Sequence, residues 1–508
     1  MKHGGRESLR AGSVGARVSV GAGVVVGGNL LERILGVISI AVLGRLLTPE
    51  DFGIVALALV IVGVGEALEN GQFRWALIRI PEPGRDHYST VFALQLLLGG
   101  ALSIGIFLVA PAAASLMQTP ALEDALRWLA LVPILANLRN PYSINFQREL
   151  RFVPGMIMGL GGRLASTATA IGLAYALGDY RAMVAAAIVF VAVRTALTYA
   201  MMPILPGLSL ARWREFVGFG GWLSASGLVD LLGRRADVAI MGLWLDLRMV
   251  GLFNMGKEIT NLAVRQFAGQ ARMSMYPGMA LIADDPDRYR KARLKTVQTL
   301  VGVLTPIGVG MALVAEEFVA LLIGEQWSRT VPVIQALAPV AALAGLVAAI
   351  HSDAMVRGDT RGMFLRDAAI AVLQLPVLAF AIWRFGLMGA IWGRVVVELV
   401  SVGLMLDLSR RLSGETFVAP LAACWRSFAA AAAMVIAVLV AAPLAPTHDN
   451  AMLAMAMALA TKASVGASVY LLSHIALWRL AGAPEGFERA CLTIAGKTLV
   501  AARSRLGR

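Results

Sequence analysis

The sequence predicts an all-α integral membrane protein of about fourteen transmembrane helices, in two six-helix lobes of parallel repeat followed by two C-terminal helices. Three observations carry this expectation. Apolar segments run almost end to end through the 508 residues, each near the ~20 residues that a helix needs to cross a bilayer. The composition is 58% hydrophobic and 15% charged, with a mean hydropathy of +0.73; no soluble core could bury so much apolar surface. Basic residues fall on alternate connections between the segments.

The segments follow in order. Residues 1–19 form a basic cytoplasmic N-terminus. The first span, 20–44, is too long for a signal peptide and contains Glu32 and Arg33, so it reads as an uncleaved helix. With spans 53–73, 89–113, 122–146, 156–177 and 182–204 it makes an N-lobe over 20–204. Spans 216–242, 249–279, 296–323, 331–356, 365–384 and 387–408 make a C-lobe over 205–411. Spans 421–443 and 451–478 fill the region 412–479, and 480–508 is a cytoplasmic tail that can lie as an amphipathic helix on the membrane. Connections of roughly 5–15 residues leave no room for a folded domain outside the bilayer.

The charges orient the chain. One side carries Lys2, Arg6, Arg10, Arg17, Arg74, Arg79, Arg85, Arg148, Arg151, Arg212, Arg214, the run Arg288 to Lys295, Arg357, Arg361, Arg366, Arg410, Arg411 and the tail from Arg479 to Arg508; the other holds only Arg45, Arg181, Arg248, Arg329 and Arg384. Short loops rich in Lys and Arg face the cytoplasm, which places both termini there. The net charge of +13 is therefore topology, and no basic patch interleaved with aromatics points to nucleic acid. Cys424 and Cys491 lie near the reducing side and form no disulfide framework. His351, His448 and His474 are scattered and form no metal set.

The chain also echoes itself. GRLLTPEDFG at 44–53 overlays GLWLDLRMVG at 242–251 without a gap, and NFQRELRF at 145–152 pairs with AMVRGDTRGMF at 354–364, Arg148 on Arg357. Similar offsets predict two units of like orientation, a plan known among transporters.

The turn GRLLTPEDFGIVALA at 44–58, the NFQRELRF turn and RGDTRGMF after the tenth span resemble those of bacterial lipid-linked oligosaccharide flippases, the polysaccharide transporters of the multidrug/oligosaccharidyl-lipid/polysaccharide exporter superfamily. The likeness covers about residues 15–480. It implies an inner-membrane bundle that opens alternately to each face and moves undecaprenyl-diphosphate oligosaccharide outward for exopolysaccharide, capsule or O-antigen. A polysaccharide polymerase and a chain-length regulator are the partners it implies, beside membrane lipids.

Ionisable groups within spans are costly and mark cavities or partners. Glu32 and Arg33 lie in span one, Glu66 and Glu69 on one face of span two, and Asp230, Arg234, Arg235 and Asp237 in span seven. Asn254, Glu258, Asn261, Arg265 and Arg272 form a stripe on span eight. A vestibule shared by the opening spans of the two lobes would hydrate them all. Guanidinium forks suit a diphosphate, so Arg33, Arg234, Arg235 and Arg265, with Asn261, are the expected substrate-binding residues; Arg163 and Arg194 are further possibilities. The alternative for Arg234 and Arg33 is structural pairing, Arg234 with Asp230 and Asp237 and Arg33 with Glu32 or with Glu66 of the next span. Arg394 and Glu398 read as an internal pair.

The chain has no cofactor motif. GLFNMGKE at 251–258 lacks the hydroxyl residue of a phosphate loop and lies in an apolar helix. Coupling to a proton or sodium gradient is what remains, with Glu66, Glu69, Asp230 and Glu258 as the expected ion-coupling carboxylates. A relative exporting a peptidoglycan precursor or small cations is the alternative cargo reading. A membrane polymerase or ligase is the alternative class, disfavoured by outer connections of about a dozen residues or fewer.

Overall fold

The computed structural model describes residues 27–444 apart from 70–71, 150, 266, 269–278, 280–281 and 283, together with 450–483 and 488. Arg272, the start of span one and nearly all of the tail lie outside these residues. The described secondary structure is helical throughout, without a strand. Among the described residues seven helices are long and apolar enough to cross a membrane, and Trp425–Ala441 is a shorter apolar one. The chain is a multi-pass membrane protein. Its internal contacts divide it into two units, Met1–Gly251 and Leu252–Arg508.

The first unit begins with α1 over 27–46 and α2, Pro49–Glu69. The TPED of the first turn explains why one helix stops and the next starts. The Asp51 carboxylate accepts the Thr48 N–H at 2.9 Å and its hydroxyl at 2.7 Å, Pro49 occupies the first helical position, and the Thr48 hydroxyl accepts the Asp51 N–H at 3.3 Å. This reciprocal cap satisfies donors that a helix start leaves open. The second Asp51 oxygen accepts the Tyr180 N–H from a distant turn at 3.0 Å.

Next come α3, Gln72–Arg79, and α4, Arg85–Leu116. The expected span 122–146 is not one helix. It runs as α5, Pro120–Leu129, and α6, Leu131–Asn137, then a 3₁₀ turn at Pro141–Ile144. The fully buried Asn140, followed by Pro141, ends it: its amide donates to the carbonyls of Met202 and Ile204 at 2.8 and 2.9 Å and accepts the Tyr142 N–H at 3.0 Å. A side chain that binds backbone elsewhere competes with helix continuation, and proline cannot supply the next donor. The antiparallel pair α7, Val153–Leu177, and α8, Arg181–Met201, follows, turned by Gly178 at φ +68°.

Helix α9, Trp213–Trp244, packs along α2 through close backbone approaches. A Cβ on Gly227 would meet the Ala67 carbonyl at 2.4 Å, and one on Gly63 the Leu231 side chain at 2.8 Å. At the end of this seam a Cβ on Gly53 would lie 2.1 Å from the Leu247 carbonyl, and one on Gly251 1.8 Å from the Pro49 carbonyl. In the overlay of 44–53 on 242–251, Gly53 maps to Gly251 and Pro49 to Leu247, so the two contacts exchange. The second turn also has a cap: Asp246 accepts the Met249 N–H at 2.8 Å, at the start of α10, Leu247–Thr260. Span eight then departs from a plain helix, with a π-helical turn at Asn261–Arg265.

The second unit contains α11, Pro286–Leu313, capped by Asp285, then α12, Val331–Ala341, and α13, Ala344–Val356. The 54-residue α14, Thr360–Ser413, is two arms broken at Gly386, where φ is 58° and ψ −133°. The break lies at the predicted turn between 365–384 and 387–408, and Gly389 sits against the Ala381 carbonyl. Helices α15, Trp425–Ala441, and α16, Ala451–Leu480, pack on each other and attach to α11 through the Tyr470 hydroxyl on the Gly302 carbonyl at 2.7 Å.

One device recurs in both units. The fourth residue of α4, Tyr88, donates its hydroxyl to Asn145 at 2.7 Å; the fourth residue of α11, Tyr289, donates to Asp353 at 2.6 Å.

Candidate functional site

The first unit holds an open-sided chamber of about 680 Å³. Its apolar wall includes Leu43, Leu59, Val62 and Phe190, and its polar lining is dominated by Arg74, Arg139, Arg163 and Arg194, with Glu66, Asn137 and Gln147. A smaller pocket of about 280 Å³ shares Arg74, Arg139, Gln147 and Arg194 with it and adds Glu32 and Asn29. The three shared arginines therefore stand between two polar spaces, with one glutamate on each side.

Local sequence makes room for these charges. Gly159 of α7 leaves space for the Glu32 carboxylate of α1, whose oxygen would lie 2.3 Å from a Cβ there, and Gly36 of α1 leaves space for the Arg163 guanidinium. Arg74, on α3, donates to the Ser143 hydroxyl at 3.0 Å, while its buried Nε has no acceptor among the described residues. Arg194, on α8, holds its guanidinium 5.9 Å from the Phe190 ring centre. Arg139 follows α6, at the point where Asn140 and Pro141 end the helix. Among the described residues no carboxylate forms an ion pair with Arg74, Arg163 or Arg194. Charges that face a cavity keep part of their hydration, which is how a membrane-embedded wall tolerates them.

The expected residues are placed as follows. Glu66 lines the chamber. Arg33 is half-buried on α1. Arg234 pairs with Asp230 at 2.8 Å on an exposed stretch of α9, the i,i+4 pairing its spacing suggested, and Asp237 is fully buried. Arg235 packs over Gly63 of α2, its Nε 3.5 Å from where a Cβ would stand. Glu69 closes α2, but its side chain lies outside the described residues. In the second unit Glu258 is exposed on α10 and Asn261 opens the π-helical turn. Arg265 donates to Glu398 at 2.5 Å, and Arg394 reaches the same carboxylate oxygen at 2.7 Å. Arg139 escaped the sequence reading because nothing near it in sequence is charged; its chamber partners converge only in three dimensions. Arg74 enters the sequence reading only as one of the charges that orient the chain.

The second unit has its own polar pocket, about 650 Å³, beside Tyr289, Arg290, Arg293, Arg357 and Glu415. Here each cation has an acid: Arg293 and Arg290 bind Glu415, and Arg357 binds Asp353 at 2.9 Å. Glu415 lies beyond the apolar part of α14. Burial works to raise its pKa, but hydrogen bonds and charge from Arg293 and Arg290 outweigh that and hold it below the usual glutamate range.

Residues 42–332, more than half the chain, match the family model described as Polysaccharide biosynthesis protein. The chain belongs to that family. Relatives include the lipopolysaccharide biosynthesis protein WzxC of Escherichia coli, 24% identical over 78% of this chain and 80% of that protein. The teichuronic acid biosynthesis protein TuaB of Bacillus subtilis is 22% identical over 72% and 77%. The fold resembles a solved structure of the lipid II flippase MurJ in an inward closed conformation, with a TM-score of 0.68 at 12% identity over 89% of this chain and 98% of that one. The family membership agrees with the resemblance carried by the turns, and the two relatives are named for the biosynthesis of lipopolysaccharide and of teichuronic acid.

Proposed function

We propose that this protein flips undecaprenyl-diphosphate-linked oligosaccharide repeat units from the cytoplasmic to the periplasmic leaflet of the inner membrane, by ion-coupled alternating access, for surface polysaccharide biosynthesis. The observation that carries the reading is the chamber: a polar, arginine-rich space walled by membrane helices, in a family of polysaccharide biosynthesis. A wall of this kind has no use in a passive helix bundle, and it suits an anionic passenger better than a cation. That weighs against small-cation export. The names of the relatives support a polysaccharide cargo over a peptidoglycan precursor.

The proposal extends to architecture. Fourteen helices form two six-helix lobes of parallel repeat plus two, with both termini cytoplasmic; the recurring tyrosine contacts and the exchanged glycine contacts support it. Arg33, Arg234, Arg235, Arg265 and Asn261 contact cargo on its way, and Glu66, Glu69, Asp230 and Glu258 carry the coupling proton or sodium. A polysaccharide polymerase and a chain-length regulator receive the product.

The test is transbilayer movement of a labelled undecaprenyl-diphosphate oligosaccharide in proteoliposomes, with and without imposed proton and sodium gradients. Movement that requires the protein and responds to one gradient supports the reading. No movement with folded protein sinks it for this cargo.

A further inference from the structure

We infer that the start of α15 and the end of α16 form a carboxylate socket that clasps the C-terminal tail through Glu488 and makes the tail a strap on this helix pair. The contact does not depend on which cargo the protein moves.

Arg426 is the second residue of α15, and His474 lies in the last two turns of α16. Both are 5% exposed, and so is Glu488. One oxygen of Glu488 lies 3.2 Å from Arg426 Nη2 and 3.5 Å from His474 Nδ1. Among the described residues no other carboxylate pairs with Arg426. The first turn of a helix already carries partial positive charge, so a buried arginine there calls for an anion, and leaving one uncompensated is costly. A tail lying free on the membrane would leave Arg426 in that condition. His474 is aimed at the same point. Its Nε2 is 3.1 Å from the Ser427 hydroxyl of α15, and its ring centre is 5.5 Å from that of Tyr470. With Nε2 accepting from Ser427, the ring proton sits on Nδ1 and faces the carboxylate. Ser427, His474 and Glu488 thus stand in the order of a hydrolytic triad, but none is more than 5% exposed, which closes them to a substrate. Neither oxygen of Glu488 has a hydrogen-bond partner among the described residues. The carboxylate is therefore held by charge and burial, a grip that can open.

Arg489 follows Glu488 in the chain, so trypsin reports on the contact. The protease cuts a segment only when it has left its seat, and where reclosing outpaces cleavage the rate follows the open population. Cleavage after Arg489 in the detergent-purified full chain, followed by mass spectrometry, should be at least about tenfold slower than in a synthetic peptide of residues 480–508. Arg426→Gln leaves the cut sequence intact and should speed cleavage of the full chain about tenfold, because it strands the carboxylate. Arg426→Lys keeps the charge and should stay within about threefold of the parent. Glu488→Gln, measured against a peptide carrying the same change, should match Arg426→Gln, and the double variant should be no faster than either single one, since both break one contact. Thermal unfolding in the same detergent identifies any variant that fails to fold; Glu488→Gln, which alters the tail alone, then carries the comparison. Cleavage of the parent as fast as the peptide, an Arg426→Gln variant no faster than the parent, or additive effects in the double variant overturns the clasp.

Discussion

The chamber arginines of the first unit and the arginines of the second that converge on acids are the same residue type, yet they are held in opposite ways. In the second unit Arg265 and Arg394 converge on Glu398, Arg293 and Arg290 on Glu415, and Arg357 on Asp353. In the first, Arg74, Arg163 and Arg194 face a cavity and form no ion pair with a carboxylate among the described residues. An arginine held by an acid is expected to act as a rivet, and one that faces the cavity as a binding group. A rivet that loses its acid should damage the fold; a binding group that loses its charge should damage transport and spare the fold.

The largest effect is expected at Glu398. Glu398→Ala removes the carboxylate between two arginines and should destabilise the protein by about 3–5 kcal/mol, the range for breaking a buried ion pair, read as an early unfolding midpoint in detergent. An unchanged midpoint would erase the contrast between the units. Gly53→Ala and Gly251→Ala come next, at about 1–3 kcal/mol each, since both press a methyl on backbone carbonyls that cannot swing aside. The two losses should agree within about twofold; a large inequality would count against the proposed repeat. Arg194→Gln should then slow lipid flipping about tenfold, equivalent to about 1.4 kcal/mol, while the unfolding midpoint holds or rises. A fall in the midpoint that accounts for the lost transport would make Arg194 a rivet. Smallest is the Glu415 contact. Its pKa is depressed in the folded state, so its contribution is present above the ordinary glutamate range and is lost as pH falls through the folded value. Glu415→Gln should lower the stability at neutral pH, where the contact is intact, and converge with the parent as pH falls through the folded value, flattening the acid side of the profile.

Much of this was legible along the chain. Spans announce themselves by apolar length, and pairs at i,i+4 such as Asp230 with Arg234 or Arg394 with Glu398 follow from helical pitch. The TPED cap could be located from its residue types, and the turn near Gly386 from the gap between two spans. What was hidden is whatever depends on convergence. Arg265 lies 133 residues from Glu398, so the pair at i,i+4 gave no hint of a third member. The chamber draws its arginines from three helices and from the turn after α6, and no spacing links them. A signal was available for the recurring tyrosines: Asp86-His87-Tyr88 and Asp287-Arg288-Tyr289 each open a long helix, but a match that short gains meaning only when both hydroxyls are seen to bind the same kind of partner. Span four shows the converse failure, because Asn140 and Pro141 interrupt an apolar run whose hydropathy alone predicts a continuous helix.

Short surface turns are ordinarily where a chain tolerates added residues, since they bear little of the packing. The turns at Thr48 and Asp246 are short, but each presents a backbone carbonyl to a glycine of the other, with no side chain in between. One residue added to either turn would shift its own glycine and its own carbonyl together, and so open both contacts in a single step. Length variation in this protein should therefore collect in its other loops, and a change in either of these two turns should survive only with a matching change in its counterpart.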